Sequence, residues 1–401
     1  MLRRLGKLSR AFRFFMHARI DWRWPQQCDL LVFDAELEVL SSFLKVFGPA
    51  LLHVRGERLN LPVLATSLLR PGKRLDAYLD CYIQKVRPRL IATLIDNNSA
   101  FHSIAMRHPG LKTLFVQNGS RGAELFEELD RMHAPRDYLK VDYMLTFGSR
   151  IGAEYSKRIQ GQVIPMGSLR NNLVPRTALK KAGTIAFISQ FRNTEGFMYA
   201  GRFHTREEFF ERADRIVLGF LTDYARRHDK QLVIVPCTGH YQDNALTAKE
   251  HEYYRRLVGA QCAFSEWRWQ GSSYDAVDTA EVVVGIDSTL GVESAARGNK
   301  TAFFTIRSQL LNRADRKFGW PCSHADEGAF WTNRADAAVF ERILDHLFTI
   351  DQQQWQEELS ACGYADIMNY DPGNTLLSSI LKKELGSAPV PLAAAGATVC
   401  V

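Results

Sequence analysis

Short apolar runs alternate along the chain with longer stretches in which hydrophobic positions recur at helical spacing. The apolar runs of the first half lie at 29–33, 51–54, 88–95, 111–116, 142–147 and 162–166. Those of the second half lie at 184–189, 231–236, 280–286 and 300–306, with helical periodicity at 205–228 and 334–385. Strands that alternate with helices are typical of parallel, doubly wound sheets. The pattern predicts an α/β protein with two facing, doubly wound Rossmann-like domains and a C-terminal helical segment.

Residues 167–183, GSLRNNLVPRTALKKAG, are polar, basic and interrupted by Pro175, which predicts a linker between the two domains. The predicted order is a basic amphipathic helix (1–25), an acceptor domain (26–175), a donor domain (184–333), C-terminal helices (334–385) and an unstructured tail (386–401). Ligands of open parallel sheets bind at the carboxyl ends of the strands. The cleft between the domains is therefore the expected active site.

The composition is that of a soluble globular protein, with 46% hydrophobic and 24% charged residues. The 51 basic and 44 acidic residues give a net charge of +7 that is spread along the chain, so no nucleic-acid groove is expected. The seven cysteines are scattered, odd in number and lack a CxxC pair, so they suggest neither a disulfide framework nor a zinc site. A reducing cytoplasm fits this composition.

The N-terminal stretch combines an apolar face with a basic one. Its apolar positions are Leu2, Leu5, Leu8, Phe12, Phe15 and Met16, and its cations are Arg3, Arg4, Lys7, Arg10 and Arg13. No apolar segment of the chain approaches the ~18 residues of a membrane span. The stretch predicts either a helix on an anionic membrane surface, with the protein peripheral on the inner face of the plasma membrane, or a helix packed on the domain.

Residues 287–304, DSTLGVESAARGNKTAFF, follow a strand and suggest a phosphate site. Ser288 and Thr289 start a predicted helix, whose N–H groups and positive dipole end attract phosphate. Glu293 lies four positions after Thr289, on the same helix face, where a carboxylate accepts hydrogen bonds from ribose hydroxyls. The alternative is a purely structural cap, with Ser288 at the N-cap and Gly298 near the C-cap.

Two further loops of the second half supply donor-binding candidates. Ser189, Gln190 and Arg192 follow the strand at 184–189, and a guanidinium makes bidentate contacts to phosphate. His240 follows VPCTG and is a candidate phosphate donor or acid; an ordinary surface histidine is the alternative.

In the first half, Asp96 is the first choice for a catalytic carboxylate, because it ends an apolar strand and is expected to point into the cleft. A helix cap is the alternative. Asp34 and Glu36 are second choices on the same grounds. Gln117 and Asn118, in VQNGSRG, either bind a sugar acceptor or form a turn.

Several common motifs are absent from the sequence. Lys300 does not directly follow Gly298, so GNKT is not a Walker A motif. The chain has no G-x-G-x-x-G after the first strand, no HExxH, no G-x-S-x-G and no Asp-x-Asp. We therefore expect no metal and no cofactor beyond a nucleotide-sugar substrate.

The combination of two such domains with Asp287-Ser288-Thr289, Glu293 and Gly298-Asn299-Lys300 resembles the donor-binding segment of GT-B glycosyltransferases. The stretches LVFDAE, IDNN and QNGSRG look like surface-carbohydrate biosynthesis proteins related to capsule and O-antigen transferases, including those for Kdo and other ulosonic acids.

This resemblance implies a metal-independent transferase that moves a sugar from a CMP- or UDP-linked donor to a lipid-linked glycan acceptor, on a polyprenyl or similar carrier. It implies that Ser288, Thr289 and Glu293 hold the nucleotide, that Ser189, Gln190 and Arg192 neutralise phosphate or a sugar carboxylate, and that Asp96 acts at the reacting centre. The His-Pro dipeptide of some relatives is missing here, which puts the role of His240 in doubt.

Three other functions remain open at this point. They are a nucleotide-sugar 2-epimerase, a polyol-phosphate transferase of the teichoic-acid type and a non-catalytic scaffold for polysaccharide assembly.

Overall fold

The structure is a computed structural model, and it describes residues 18–387 apart from several short gaps. These gaps are 35–39, 41–42, 55–56, 73, 133–138, 178, 240–242, 260–261 and 270. The predictions for residues 1–17, for 388–401, for Glu36 and for His240 lie outside the described residues.

The N-terminal half forms a six-stranded parallel sheet flanked by helices. The strands of this half are β1 Arg19–Asp21, β2 Leu30–Phe33, β3 Ala50–Leu52, β4 Arg58–Asn60, β5 Leu90–Thr93, β6 Lys112–Val116, β7 Lys140–Thr146 and β8 Gln160–Pro165, of which β1 and β4 form a separate two-stranded sheet. Its helices are α1 Leu61–Leu68, α2 Arg74–Val86, α3 Ser99–His102, α4 Ile104–Arg107, α5 Ala123–Met132, α6 Ser149–Ser156 and α7 Leu169–Leu173. The sheet order is β3-β2-β5-β6-β7-β8. Strands such as β2 and β5 are buried at every position, as expected when helices cover both faces.

The C-terminal half forms a second parallel sheet in the order β13-β12-β9-β14-β15-β16. Its strands, with a separate hairpin of β10 and β11, are β9 Lys181–Ile188, β10 Gly196–Tyr199, β11 Arg202–Thr205, β12 Gln231–Val235, β13 Ala263–Phe264, β14 Ala280–Gly285, β15 Thr301–Phe304 and β16 Trp331–Thr332. Its helices are α8 Arg212–Arg227, α9 Asn244–Val258, α10 Ser272–Thr279, α11 Thr289–Ala296, α12 Arg307–Leu310, α13 Ala337–Thr349, α14 Gln352–Ala361, α15 Tyr364–Ile367 and α16 Thr375–Leu385. The prediction of two doubly wound domains followed by a C-terminal helical segment is confirmed.

The chain crosses between the domains twice. The first crossing contains α7, in a segment predicted to be a plain linker. The second crossing ends in α16, which returns to the N-terminal sheet, where Leu377 and Leu381 pack in the same core as Leu114 and Leu145. The C-terminal helices therefore do not form a separate unit, because the last of them covers the N-terminal domain.

Two features of the structure differ from the sequence prediction. Within residues 18–25, β1 pairs in parallel with β4, so the helix prediction is wrong there. The hairpin of β10 and β11 was not predicted at all. Both features depend on pairing with another segment, which local periodicity does not reveal. In the part of the chain that is described, no helix is long and apolar enough to cross a membrane.

Candidate functional site

The carboxyl ends of the two sheets face each other across a cavity of about 310 Å³. The N-terminal domain contributes Leu94, Gln117 and Asn118, and the segment between the domains contributes Ser168, Leu169 and Arg170. The C-terminal domain contributes Ile188, Ser189, Val235, Pro236, Cys237, Trp267, Ser273, Tyr274, Ser288, Thr289, Leu290 and Glu293. The structure thus brings together Gln117, Asn118, Ser189, Ser288, Thr289 and Glu293 from the sequence-predicted site.

Helix α11 presents an uncapped N-terminus to this cavity. Ser288 holds the N-cap position in extended conformation, yet its side chain makes no capping hydrogen bond to the helix. Gly298, with φ of +90°, lies just past the end of the helix, in a conformation that suits glycine. Since the hydroxyl of Ser288 leaves the first N–H groups free, the positive end of the helix is open to an anion, which favours the phosphate interpretation over the purely structural cap.

Glu293 lies one turn deeper on the same face of α11 and lines the cavity. Its carboxylate accepts a hydrogen bond of 3.0 Å from the hydroxyl of Tyr274. Burial raises the pKa of Glu293, while hydrogen bonds from Ser168 and Tyr274 and the charge of Arg170 oppose that rise. The residue is positioned to accept hydrogen bonds from a ligand in the cavity.

Arg170 is a cation in the lining of this cavity, and the sequence interpretation did not identify it. Its side chain is exposed and lines the cavity beside Glu293 and Tyr274. Within the described residues, no carboxylate lies within 4.0 Å of its guanidinium. The only sequence signal was its place in the polar segment after the strand at 162–166, which was interpreted as a linker. A free guanidinium at this point is available for a ligand phosphate or carboxylate.

Ser189 lies in the cavity wall, but its hydroxyl is used internally. The hydroxyl donates to the carboxylate of Glu250, which is fully buried. The same carboxylate accepts from the backbone N–H of Cys237 at 2.9 Å and from that of Thr238 at 3.0 Å. In this structure the hydroxyl is thus engaged by Glu250, and the role of Ser189 in phosphate binding stays a prediction.

Gln190 does not reach the cavity. Its side-chain oxygen accepts from Arg307 at 3.1 Å. Arg307 also pairs with Asp287, and Arg316 lies 3.4 Å from the second oxygen of Asp287. Burial opposes the charged form of Asp287, but the two arginines outweigh it and lower the pKa of this carboxyl. Gln190 thus belongs to the ion-pair cluster of Arg307, Asp287 and Arg316, and its contact with phosphate stays a prediction.

Arg192 lies at the edge of the site. Its exposed side chain donates to the carbonyl of Phe191 at 2.9 Å and comes within 3.8 Å of the sulfur of Cys237, which lines the cavity. Arg192 itself does not line the cavity in this structure. Its role in phosphate binding stays a prediction.

Asp96 is fully buried, and its carboxylate does not face the cleft. Arg121 binds both carboxylate oxygens, with 2.7 Å from Nε to Oδ2. The hydroxyl of Tyr155 donates at 2.5 Å, and the backbone N–H of Asn118 donates at 3.3 Å. Burial and the neighbouring Asp96 raise the pKa of Tyr155 well above its ordinary value. The expectation of a cleft-facing carboxylate is wrong: Asp96 holds the loop at 117–122 in place.

Of the remaining candidates in the first half, Asn118 is exposed in the cavity, whereas Gln117 and Asp34 are buried. The side chain of Gln117 donates to the carbonyl of Gly119 and accepts from the N–H of Phe147, both at 2.9 Å, so it shapes the turn. Asn118 is exposed and lines the cavity. Asp34 is buried in a left-handed conformation, with φ of 49°, and is not part of the cavity lining, contrary to its predicted place at the reacting centre.

The loop at 117–122 touches the C-terminal domain directly. The N–H of Ser120 donates to the hydroxyl oxygen of Thr289 at 3.2 Å. The N–H of Ala123 donates to the carboxylate of Asp315 at 3.0 Å. A Cβ at Gly122 would lie 2.7 Å from that carboxylate, so a side chain there would require the Asp315 carboxylate to shift. The loop therefore contacts the first residue of α11, Thr289, from the opposite domain.

A protein-family model matches most of the chain. Residues 114–385 match the model of a family described as "putative O-antigen biosynthesis protein". The matched segment contains the loop at 117–122, Arg170 and the whole of α11. Among curated proteins, none matches the chain.

Solved structures of low sequence identity share the fold. A protein assigned as a UDP-N-acetylglucosamine 2-epimerase from Listeria monocytogenes is 10% identical, with 89% of this chain and 96% of that chain covered and a TM-score of 0.50. A glycosyltransferase from Rickettsia africae ESF-5 is 10% identical, with 90% and 99% covered and a TM-score of 0.48. The wall teichoic acid polymerase TagF is 10% identical, with 90% and 89% covered and a TM-score of 0.44. The similarity to the Listeria protein shows the fold alone, the two-domain GT-B arrangement.

Proposed function

The chain belongs to this family of O-antigen biosynthesis proteins, and we propose that it is a glycosyltransferase that uses a nucleotide-sugar donor. The observation that carries the proposal is the uncapped N-terminus of α11, which opens into the cavity between the carboxyl ends of both sheets. Such an end binds the phosphates of a nucleotide.

The surroundings of α11 suit the rest of a donor molecule. Arg170 offers a second positive charge for the phosphates or for a carboxylate on the sugar. Glu293 lies one turn deeper, where its carboxylate accepts from ribose hydroxyls. Asn118 projects from the opposite domain and is the candidate contact to the acceptor. The sugar to be transferred would then lie between the two domains.

The finer parts of the proposal concern the substrates and the chemistry. We propose a CMP- or UDP-linked donor, with an ulosonic acid as the candidate sugar, and a lipid-linked glycan as the acceptor. The leaving phosphate is stabilised by the helix N-terminus and by Arg170 without a metal ion. Since Asp96, Asp34 and Gln117 are buried, Glu36 and His240 stay the predicted candidates for proton transfer.

Calorimetry with CMP, UDP, GDP and CDP tests the proposal directly. We expect one nucleotide to bind, and a preference for CMP supports an ulosonic acid donor. Failure of all four to bind would support a scaffold instead. Incubation with the sugar nucleotide alone tests for an epimerase, because an epimerase makes product without an acceptor. A teichoic-acid-type enzyme is recognised by its product, since it transfers a phosphate-containing group.

Replacing Glu293 with Gln is expected to weaken nucleotide binding about 10- to 100-fold, because the amide is a poorer acceptor than a carboxylate. Tyr274 can still donate to the amide oxygen, so folding should persist. The control is the 2′-deoxynucleotide. Wild-type protein should bind the ribonucleotide more tightly than the 2′-deoxynucleotide, and this difference in affinity should be smaller for Glu293→Gln. The same difference in both proteins would show that Glu293 does not contact the ribose.

Replacing Arg170 with Gln is expected to weaken nucleotide binding about tenfold or more, since a charged hydrogen bond to phosphate is lost. Thermal stability should change little, because the side chain is exposed and has no carboxylate within 4.0 Å in the described part of the chain. Arg212→Gln, an exposed cation on α8, is the matched control. If Arg170→Gln and Arg212→Gln bind the nucleotide with equal affinity, Arg170 does not contact the nucleotide.

A further inference from the structure

The N-terminal domain carries a group of exposed apolar side chains that do not line the cavity. Trp22 is 72% exposed, Trp24 47%, Leu68 54% and Leu69 88%. Ile20 and Leu75, with 37% and 47%, belong to the same two segments. Large apolar side chains grouped in this way mark an interaction surface more often than single exposed residues do.

Unpaired cations are interleaved with these apolar side chains. They are Arg19, Arg23, Arg70, Arg74, Lys85 and Arg87. None of the six has a carboxylate within 4.0 Å among the residues that the structure describes. In the same region, Asp21 is bound by Arg58 at 2.8 Å and Asp80 by Arg107 at 2.9 Å. Asp21 and Asp80 are thus neutralised by other arginines, while no ion pair among the described residues engages the six cations.

Contacts within the domain bring the two segments into one surface. β1 pairs with β4, directly before α1, and the side chain of Asn60 donates to the carbonyl of Arg23 at 2.8 Å. The ammonium of Lys85, in the last turn of α2, lies 4.4 Å from the ring centre of Trp24. Arg70, in the second segment, donates to the side-chain oxygen of Gln84, the neighbour of Lys85, at 2.7 Å. We call the six cations and six apolar side chains together the basic-apolar surface.

We propose that the basic-apolar surface binds the anionic surface of a lipid bilayer. Tryptophan favours the interface between headgroups and hydrocarbon, and cations beside it are attracted to acidic lipids. The chain's own residues 1–17 are a poor occupant, since they carry basic residues and no acid and so repel this surface. Exposed leucines such as Leu69 favour lipid over nucleic acid, which offers phosphates but little apolar area.

The inference rests on the proposed function in one respect, because a lipid-linked acceptor requires the enzyme to work at a membrane. It adds a folded contact surface to the basic stretch at residues 2–16. Donor binding does not depend on it, so the two proposals fail separately.

Sedimentation of the full chain with vesicles of phosphatidylglycerol and phosphatidylcholine tests the surface. Wild-type protein should bind vesicles that contain phosphatidylglycerol at low salt and leave them at high salt. The variant Arg70→Gln/Arg74→Gln/Lys85→Gln should lose about 100-fold in partition coefficient, and Trp22→Ser/Leu69→Ser should also bind more weakly. The control Lys181→Gln/Arg212→Gln/Lys249→Gln removes three exposed cations from the other domain and should bind as wild type.

Nucleotide affinity, measured on the same proteins, should be unchanged in both surface variants, which separates this test from that of the donor site. Wild-type-like vesicle binding by the two surface variants would overturn the proposal, and loss only on replacing Arg3, Arg4, Lys7, Arg10 and Arg13 would assign binding to the N-terminal stretch. Failure of the wild type to bind vesicles, or binding to RNA in their place, would also overturn it.

Discussion

Replacing Arg297 with Met should lower the free energy of unfolding by about 3 to 5 kcal/mol, the range for breaking a buried ion pair. Arg297 is fully buried and pairs with Asp278 at 2.6 Å. Its guanidinium also donates to the carbonyls of Asn171, Val174 and Pro175, at 2.8 to 3.0 Å. Methionine fills much of the volume but leaves the Asp278 carboxylate and three carbonyls of the domain linker without this partner.

Denaturant unfolding of purified Arg297→Met, followed by tryptophan fluorescence, measures the effect. Arg226→Met is the control, since its ion pair with Asp223 is exposed and should be worth less than about 1 kcal/mol. The double variant Arg297→Met/Asp278→Asn should recover part of the loss, because the stranded charge is gone. A loss below about 1 kcal/mol for Arg297→Met would show that the linker is held mainly by other contacts.

The regular part of the fold could be predicted because its signals are local. Apolar runs such as those of β5 and β14 are buried at nearly every position, so a run of hydrophobic residues was sufficient to locate them. The order of strands and helices then determined which loops lie at the carboxyl edges. For that reason Ser288, Thr289, Glu293 and Asn118 were correctly expected to lie near one another.

The roles of individual polar residues could not be predicted, because they depend on partners distant in sequence. Ser189 is engaged by Glu250, which follows 61 residues later on α9. Asp96 is engaged by Arg121 and Tyr155, which follow 25 and 59 residues later. A polar residue at a strand end looks the same in sequence whether it faces a ligand or a buried partner. Arg170 shows the converse error. It lines the cavity, but it lies in a segment that was predicted to be a linker and was therefore not considered as part of the site.

Replacing Asp96 with Asn is the second change expected to have a large effect, and it decides between two roles for this residue. If Asp96 positions the loop at 117–122, the variant leaves the guanidinium of Arg121 largely buried without its anion, and the free energy of unfolding should fall by about 3 kcal/mol or more. Nucleotide binding should weaken as well, since the loop contacts Thr289 through Ser120. Denaturant unfolding and calorimetry on the same preparation measure both effects.

A catalytic role for Asp96 gives a different result. If Asp96 is a general base or nucleophile, Asp96→Asn should lower kcat at least about 100-fold, with stability and nucleotide affinity close to wild type. Asp130→Asn is the control, because its pair with Arg158 lies on the surface and its loss should cost less than about 1 kcal/mol. Since Arg121 and Tyr155 already bind the carboxylate of Asp96, we expect the stability loss. A stable, inactive Asp96→Asn protein would instead require the carboxylate to leave Arg121 and turn into the cleft during the reaction.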